Sequence, residues 1–71
     1  MGIYAMSSVS ERILMRMKEL NLQQVDLIGA TGLSKGTVSK WISGMNTPSG
    51  KNITSLARAL KTSPEWILDG V

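Results

Sequence analysis

The chain has no cysteine, no histidine and no phenylalanine among its 71 residues. Without cysteine there can be no disulfide framework, no thiolate nucleophile and no cysteine-built zinc site. Without histidine, the usual general base near neutral pH and the commonest metal ligand are missing as well. No metal and no cofactor is therefore expected. Aromatics are limited to Tyr4, Trp41 and Trp66, so a core has to be assembled from leucine, isoleucine, valine and methionine. No apolar run approaches the ~18 residues that span a bilayer, and Met1 to Ser8 has neither the basic start nor the long apolar middle of an export signal. A soluble, cytoplasmic chain with no membrane partner is expected, and the missing cysteine agrees with that compartment. A chain this short buries only about 60% of the surface its unfolded form exposes, which leaves room for one small domain and none for a large enzyme scaffold. With no staple available, that domain must rest on packing alone, for which a 42% hydrophobic content is enough.

Eight lysines and arginines against five aspartates and glutamates give a net charge of +3 and a sequence pI near 9.7. The balance is uneven along the chain. From Leu27 to Pro64 there is no acid, while Lys35, Lys40, Lys51, Arg58 and Lys61 all lie inside. Such a stretch reads either as a solvated basic face or as an electrostatic footprint for phosphate, and charge alone does not separate the two.

No repeat, low-complexity tract or internal linker interrupts the chain. It is punctuated every ten residues or so by a capping residue followed by an apolar pattern of helical period, and no stretch alternates long enough for a strand. A first helix is expected over Val9 to Leu20, with Ser8 as N-cap, Glu11 as its capping-box partner, an apolar stripe of Val9, Ile13, Met17 and Leu20, and Asn21 as the break. A second begins near Gln23 or Gln24, carries Val25, Leu27 and Ile28 inward and stops before Gly32. After a short turn, Ser34 caps a third helix that ends at Gly44, a left-handed C-cap position. Residues 45–50, with Asn46, Pro48, Ser49 and Gly50, form the longest internal loop. A fourth helix follows from Lys51 or Asn52 to Lys61, with Ile53, Leu56, Ala57 and Leu60 on one side. A short fifth helix has Ser63 as N-cap, Pro64 in its first position, Glu65 against the dipole and Gly70 as the stop. The fold class is all-α, a compact bundle of four to five short helices, with residues 1–8 as a flexible arm before a domain over 9–71.

The third helix holds the most informative pattern. At about 100° per residue, Val38, Trp41 and Ile42 share one arc, the buried side. The opposite side collects Gly36, Ser39, Lys40 and Ser43, with Lys35 near the start. A surface helix selected for stability would carry glutamate–lysine pairs and avoid Gly36, which costs about 0.5–1 kcal/mol relative to alanine. Small residues let another surface come close to the backbone, and lysines make an electronegative surface the fitting one. A DNA major groove about 12 Å wide meets both requirements. A tolerated glycine with ordinary solvated lysines would produce the same pattern. The preceding helix and its tight glycine-bearing turn add a second argument, since a helix-turn-helix lays its first helix across the phosphate backbone and its second in the groove.

The segment from Gln24 to Gly44, QVDLIGATGLSKGTVSKWISG, resembles the helix-turn-helix of the phage lambda-like repressor and Cro family. Its landmarks are Gln24 at the head of the second helix, Leu27 inward, Gly32 in the turn, Val38 and Trp41 inward, and Gly44 at the end. The resemblance extends over nearly the whole chain through SERI in the first helix, SLARAL in the fourth and SPEWILDG in the fifth. It implies that Lys35, Gly36, Ser39, Lys40 and Gln24 meet or brace base contacts. It also implies that Gln23, Ser34, Thr37, Asn46, Thr47, Lys51 and Asn52 lie at phosphates or the groove wall, with Gln24 adding a phosphate contact of its own. Lysine prefers guanine O6 and N7, so Lys35 and Lys40 predict G·C pairs in each half-site, and Gly36 leaves room for a thymine methyl.

Three departures from the family pattern stand out. Ile28 replaces a small residue beneath the crossing of the second and third helices, its bulk to be absorbed by Gly29, by Gly36 or by a changed helix angle. Met17 and Ile42 replace an arginine and a glutamate that form a salt bridge in many members, and a contact between the two apolar side chains is expected in its place. The arm over residues 1–8 is uncharged before Glu11, unlike the basic DNA-wrapping arms of some relatives.

The remaining apolar residues read as structural, with Trp41 and Trp66 in the core and Met15 or Met17 filling gaps. Ile67 and Val71 are left as the dimer interface. Ser39 four residues after Lys35 could mimic a serine–lysine nucleophile pair, but so small a domain supplies no pocket or oxyanion hole, and no enzyme is expected.

The expected function is sequence-specific binding of double-stranded operator DNA by a homodimer, as the DNA-binding domain of a phage or prophage transcriptional repressor. The expected partners are operator DNA and a second copy of the chain. A Cro-like protein, a restriction-modification controller or an antitoxin regulator fits the same motif, and a protein-interaction helical module is the reading from a different class. Repressors of this type often continue past the position of Gly70 into a second domain, so an N-terminal portion of a longer protein is expected, a short Cro-like protein having similar length.

Overall fold

The computed structural model describes residues 8–71, folded into α1 (Val9–Glu19), α2 (Gln24–Thr31), α3 (Lys35–Ser43), α4 (Gly50–Ala59) and α5 (Pro64–Asp69). The helix borders follow the local chemistry. Ser8 accepts from the Glu11 N–H while the Glu11 carboxylate accepts from the Ser8 N–H, so the expected capping box is formed. Ser34 caps α3 through the Thr37 N–H, and Ser63 caps α5 through the Trp66 N–H ahead of Pro64. Gly32 between α2 and α3 has φ 72°, a left-handed value that an L side chain resists, and this lets the chain turn within three residues. Of the arm expected over residues 1–8, all but Ser8 lies outside the described residues, and Ser8 belongs to the helix it caps.

The helices pack in a closed ring, α1 on α3, α3 on α2, α2 on α4, α4 on α5 and α5 back on α1. Each contributes at least one side chain to a single core: Ile13 and Met17, Leu27, Val38 and Trp41, Ile53 with Leu56 and Ala57, Leu60, and Ile67. Pro48 is also fully buried, so the loop after α3 is anchored to the domain.

Two apolar assignments, at Val25 and Ile67, need correction, and a third, at Ile28, changes in detail. Val25 is 66% exposed, because a helix of eight residues that already presents Leu27 to the core turns Val25, two positions earlier, toward solvent. Ile28 does point inward, half-buried against the core, but a Cβ added at Gly29 or Gly36 would meet nothing closer than Ser34 Oγ at 3.9 Å, so neither glycine makes room for it. Ile67, expected at a dimer surface, is fully buried in the chain's own core, while Trp66 is the half-buried neighbour. A six-residue helix presents few positions to the bundle, and the ring geometry selects Ile67. Met17 is buried and Ile42 packs against the same cluster, so apolar packing occupies the α1–α3 interface.

Candidate nucleic-acid interface

The α3 surface opposite Val38 and Trp41 is open. Lys35, Gly36, Lys40 and Ser43 are exposed, and Ser39 is half-buried among them. The glycine is explained by nothing inside the domain, since the space where its Cβ would sit is free apart from an ordinary contact with Ser34 Oγ.

Ser39 is covered by a residue from the other helix of the pair. Gln24, the first residue of α2, donates from Nε2 to Ser39 Oγ at 2.6 Å. This bond brings together two of the residues expected at base contacts and ties the head of α2 to the outer face of α3. Gln23 is exposed beside it as the N-cap of α2, its backbone N–H donating to Asp26 Oδ2 at 2.7 Å. Ser34 and Thr37 lie 3.0 Å apart and Ser34 Oγ accepts from the Thr37 N–H, so both hydroxyls serve the α3 cap and their pair keeps a single O–H for an outside acceptor.

Beyond α3, the exposed Asn46 and Thr47 line an open cleft with Ser8, Val9, Ser10 and Gly44, which places the loop beside the N-terminus of α1. Lys51 is exposed and Asn52 half-buried in the first turn of α4. They belong to a helix that packs on α2 and α5 and makes no backbone contact with α3.

Two basic residues outside the acid-free stretch have a structural role that sequence reasoning missed. Arg12 donates from Nε to the Ile67 carbonyl and from Nη2 to the Leu68 carbonyl, both at 2.8 Å. Arg16 donates from Nε to the Leu60 carbonyl at 2.8 Å and from Nη2 to the Lys61 carbonyl at 3.0 Å. One turn apart on α1, the two guanidinium groups thus close the C-terminal ends of α5 and α4, where the helix dipole favours a cation. The available signal was two arginines four residues apart flanking the Ile13 and Met17 stripe.

The helix-turn-helix family profile matches residues 13–67. The chain belongs to the helix-turn-helix family. It is 41% identical over 63 residues to the HTH-type transcriptional regulator DicA of Escherichia coli strain K12, a match covering 89% of this chain and 47% of DicA. It is 36% identical over 62 residues to repressor protein C2 of Salmonella phage P22, covering 87% of this chain and 29% of that protein. The chain thus spans about half or less of the length of these curated relatives. Among solved structures it is similar to the P22 c2 repressor in complex with a synthetic operator, with a TM-score of 0.84 at 34% identity over 92% of this chain and 98% of that one. The solution structure of the P22 c2 repressor DNA-binding domain matches with a TM-score of 0.83 at 34% identity, covering 90% of this chain and 84% of that one. Among the described residues, no helix is long and apolar enough to cross a membrane.

Proposed function

We propose that this chain is the operator-binding unit of a transcriptional repressor of phage or prophage type, recognising palindromic double-stranded DNA as a homodimer in the cytoplasm. Its action is binding alone. The observation that carries this reading is the α3 face, where two exposed lysines flank a glycine that the interior does not require and a serine braced from α2. An α-helix of this kind suits the major groove, with Lys35 and Lys40 directed at guanine O6 and N7 and Gly36 allowing the helix backbone to approach. Gln23, Asn46, Thr47, Lys51 and Asn52, with the one O–H left by the Ser34–Thr37 pair, supply phosphate contacts around it. The similarity to a repressor solved on its operator, over nearly the full length of both chains, supports the same docking.

Because one domain reads half a palindrome, two copies are required. Val71, 82% exposed, stays a candidate for the surface between them, and Ile67 does not. The test is the salt dependence of duplex binding. About six phosphate contacts predict a loss of affinity on the order of a thousandfold between about 50 and about 200 mM salt. An affinity nearly independent of salt over that range would exclude the phosphate contacts and leave a protein-docking role for the bundle.

A further inference from the structure

Serine within a helix commonly turns its hydroxyl back to a carbonyl of the preceding turn, as Ser43 does when it donates to the Lys40 carbonyl at 3.2 Å. Ser39 is arranged differently, accepting at Oγ from the Gln24 amide at 2.6 Å. A hydroxyl has one proton and two lone pairs. With Gln24 holding one lone pair, the Ser39 proton is not spent on that partner, and accepting a hydrogen bond makes the O–H a better donor.

Near the middle of the major groove each base offers either a keto oxygen, guanine O6 or thymine O4, or an amino group, adenine N6 or cytosine N4. We propose that Gln24 sets the hydrogen-bond polarity of Ser39, so that Ser39 donates to a keto base, guanine or thymine, at one position of each half-site. This rests on the operator-binding reading given above. Ser39 is the specificity-determining residue and Gln24 the positioning residue that acts through it.

The substitution Gln24→Glu reverses the bond. A carboxylate can only accept, so the Ser39 O–H donates to it and leaves the Oγ lone pairs facing outward, while a negative charge at the first position of α2 suits the helix dipole and favours the fold. The experiment is selection from a random duplex library, followed by titration of single-base variants of the selected site, with the unsubstituted chain, Gln24→Glu and Ser39→Ala. The unsubstituted chain is expected to favour a keto base roughly threefold to tenfold over an amino base at one pair per half-site, the worth of one neutral hydrogen bond. Ser39→Ala should lose that preference there and nowhere else. Gln24→Glu, although weaker on all DNA because of its charge, should abolish or invert it toward adenine or cytosine.

Equal weakening by Gln24→Glu on every sequence with the preference intact would reduce the bond to helix–helix packing and overturn the proposal. So would an amino-base preference of the unsubstituted chain at the pair sensitive to Ser39, since Ser39 would then be the donor to Gln24. If the unsubstituted chain enriches no sequence at all, the operator reading itself fails and takes this proposal with it.

Discussion

Gly36 carries a stability cost that nothing inside the domain requires. Within a helix it loses about 0.5–1 kcal/mol against alanine, and its surroundings would accept a methyl group without strain. Gly36→Ala should therefore raise the stability of the isolated domain by about that amount in urea unfolding, while weakening binding to the selected operator. Unchanged operator affinity with raised stability would remove Gly36 from the close approach to DNA. This face was legible in the sequence because small residues and lysines occupy the side of α3 opposite an unmistakable core stripe of Val38 and Trp41. The Gln24–Ser39 bond was less legible. The family resemblance pointed to Gln24 as a brace, but its partner depends on how α2 crosses α3, which no spacing along the chain encodes.

At the scale of elements, the helices were readable from their ends. Ser8 with Glu11, Ser34, Ser63 with Pro64, and Gly44 each satisfy groups within four residues of themselves, so the information is local. The joints between elements are not local. Arg12 and Arg16 reach carbonyls more than forty residues away, and in the sequence they look like ordinary helix-surface arginines. Arg16→Ala should leave the Leu60 and Lys61 carbonyls without this donor and cost about 1–3 kcal/mol, read as a lower urea midpoint. Affinity for the operator, measured well below that midpoint, should change little, because Arg16 sits at the α4 end and not on the α3 face. A loss of binding at full stability would place Arg16 at the DNA instead.

For the molecule as a whole, the ring of five helices decides which apolar residues remain available to a partner. Ile67→Ala should cost about 2–5 kcal/mol of stability whether or not DNA is present, as expected for a buried isoleucine. Val71→Asp should unfold nothing, and if Val71 lies between two copies it should lower the cooperativity of full-palindrome binding while sparing a single half-site. Unchanged cooperativity would take Val71 out of the dimer surface. By itself the sequence determined the helical class, the helix borders except those of α4, which begins at Gly50 and ends at Ala59 and not at Lys61, the α3 face with its acid-free basic surroundings, and the exclusion of thiol, imidazole and metal–cysteine chemistry. These follow from short-range periodicity, capping and composition. Only the tertiary structure decided that Ile67 is core and Val25 is surface, that Gln24 holds Ser39, and that two arginines close the ends of distant helices. Those outcomes depend on the rotation of each helix about its axis within the ring, which is set by simultaneous packing against two neighbours and not by the residues of that helix alone.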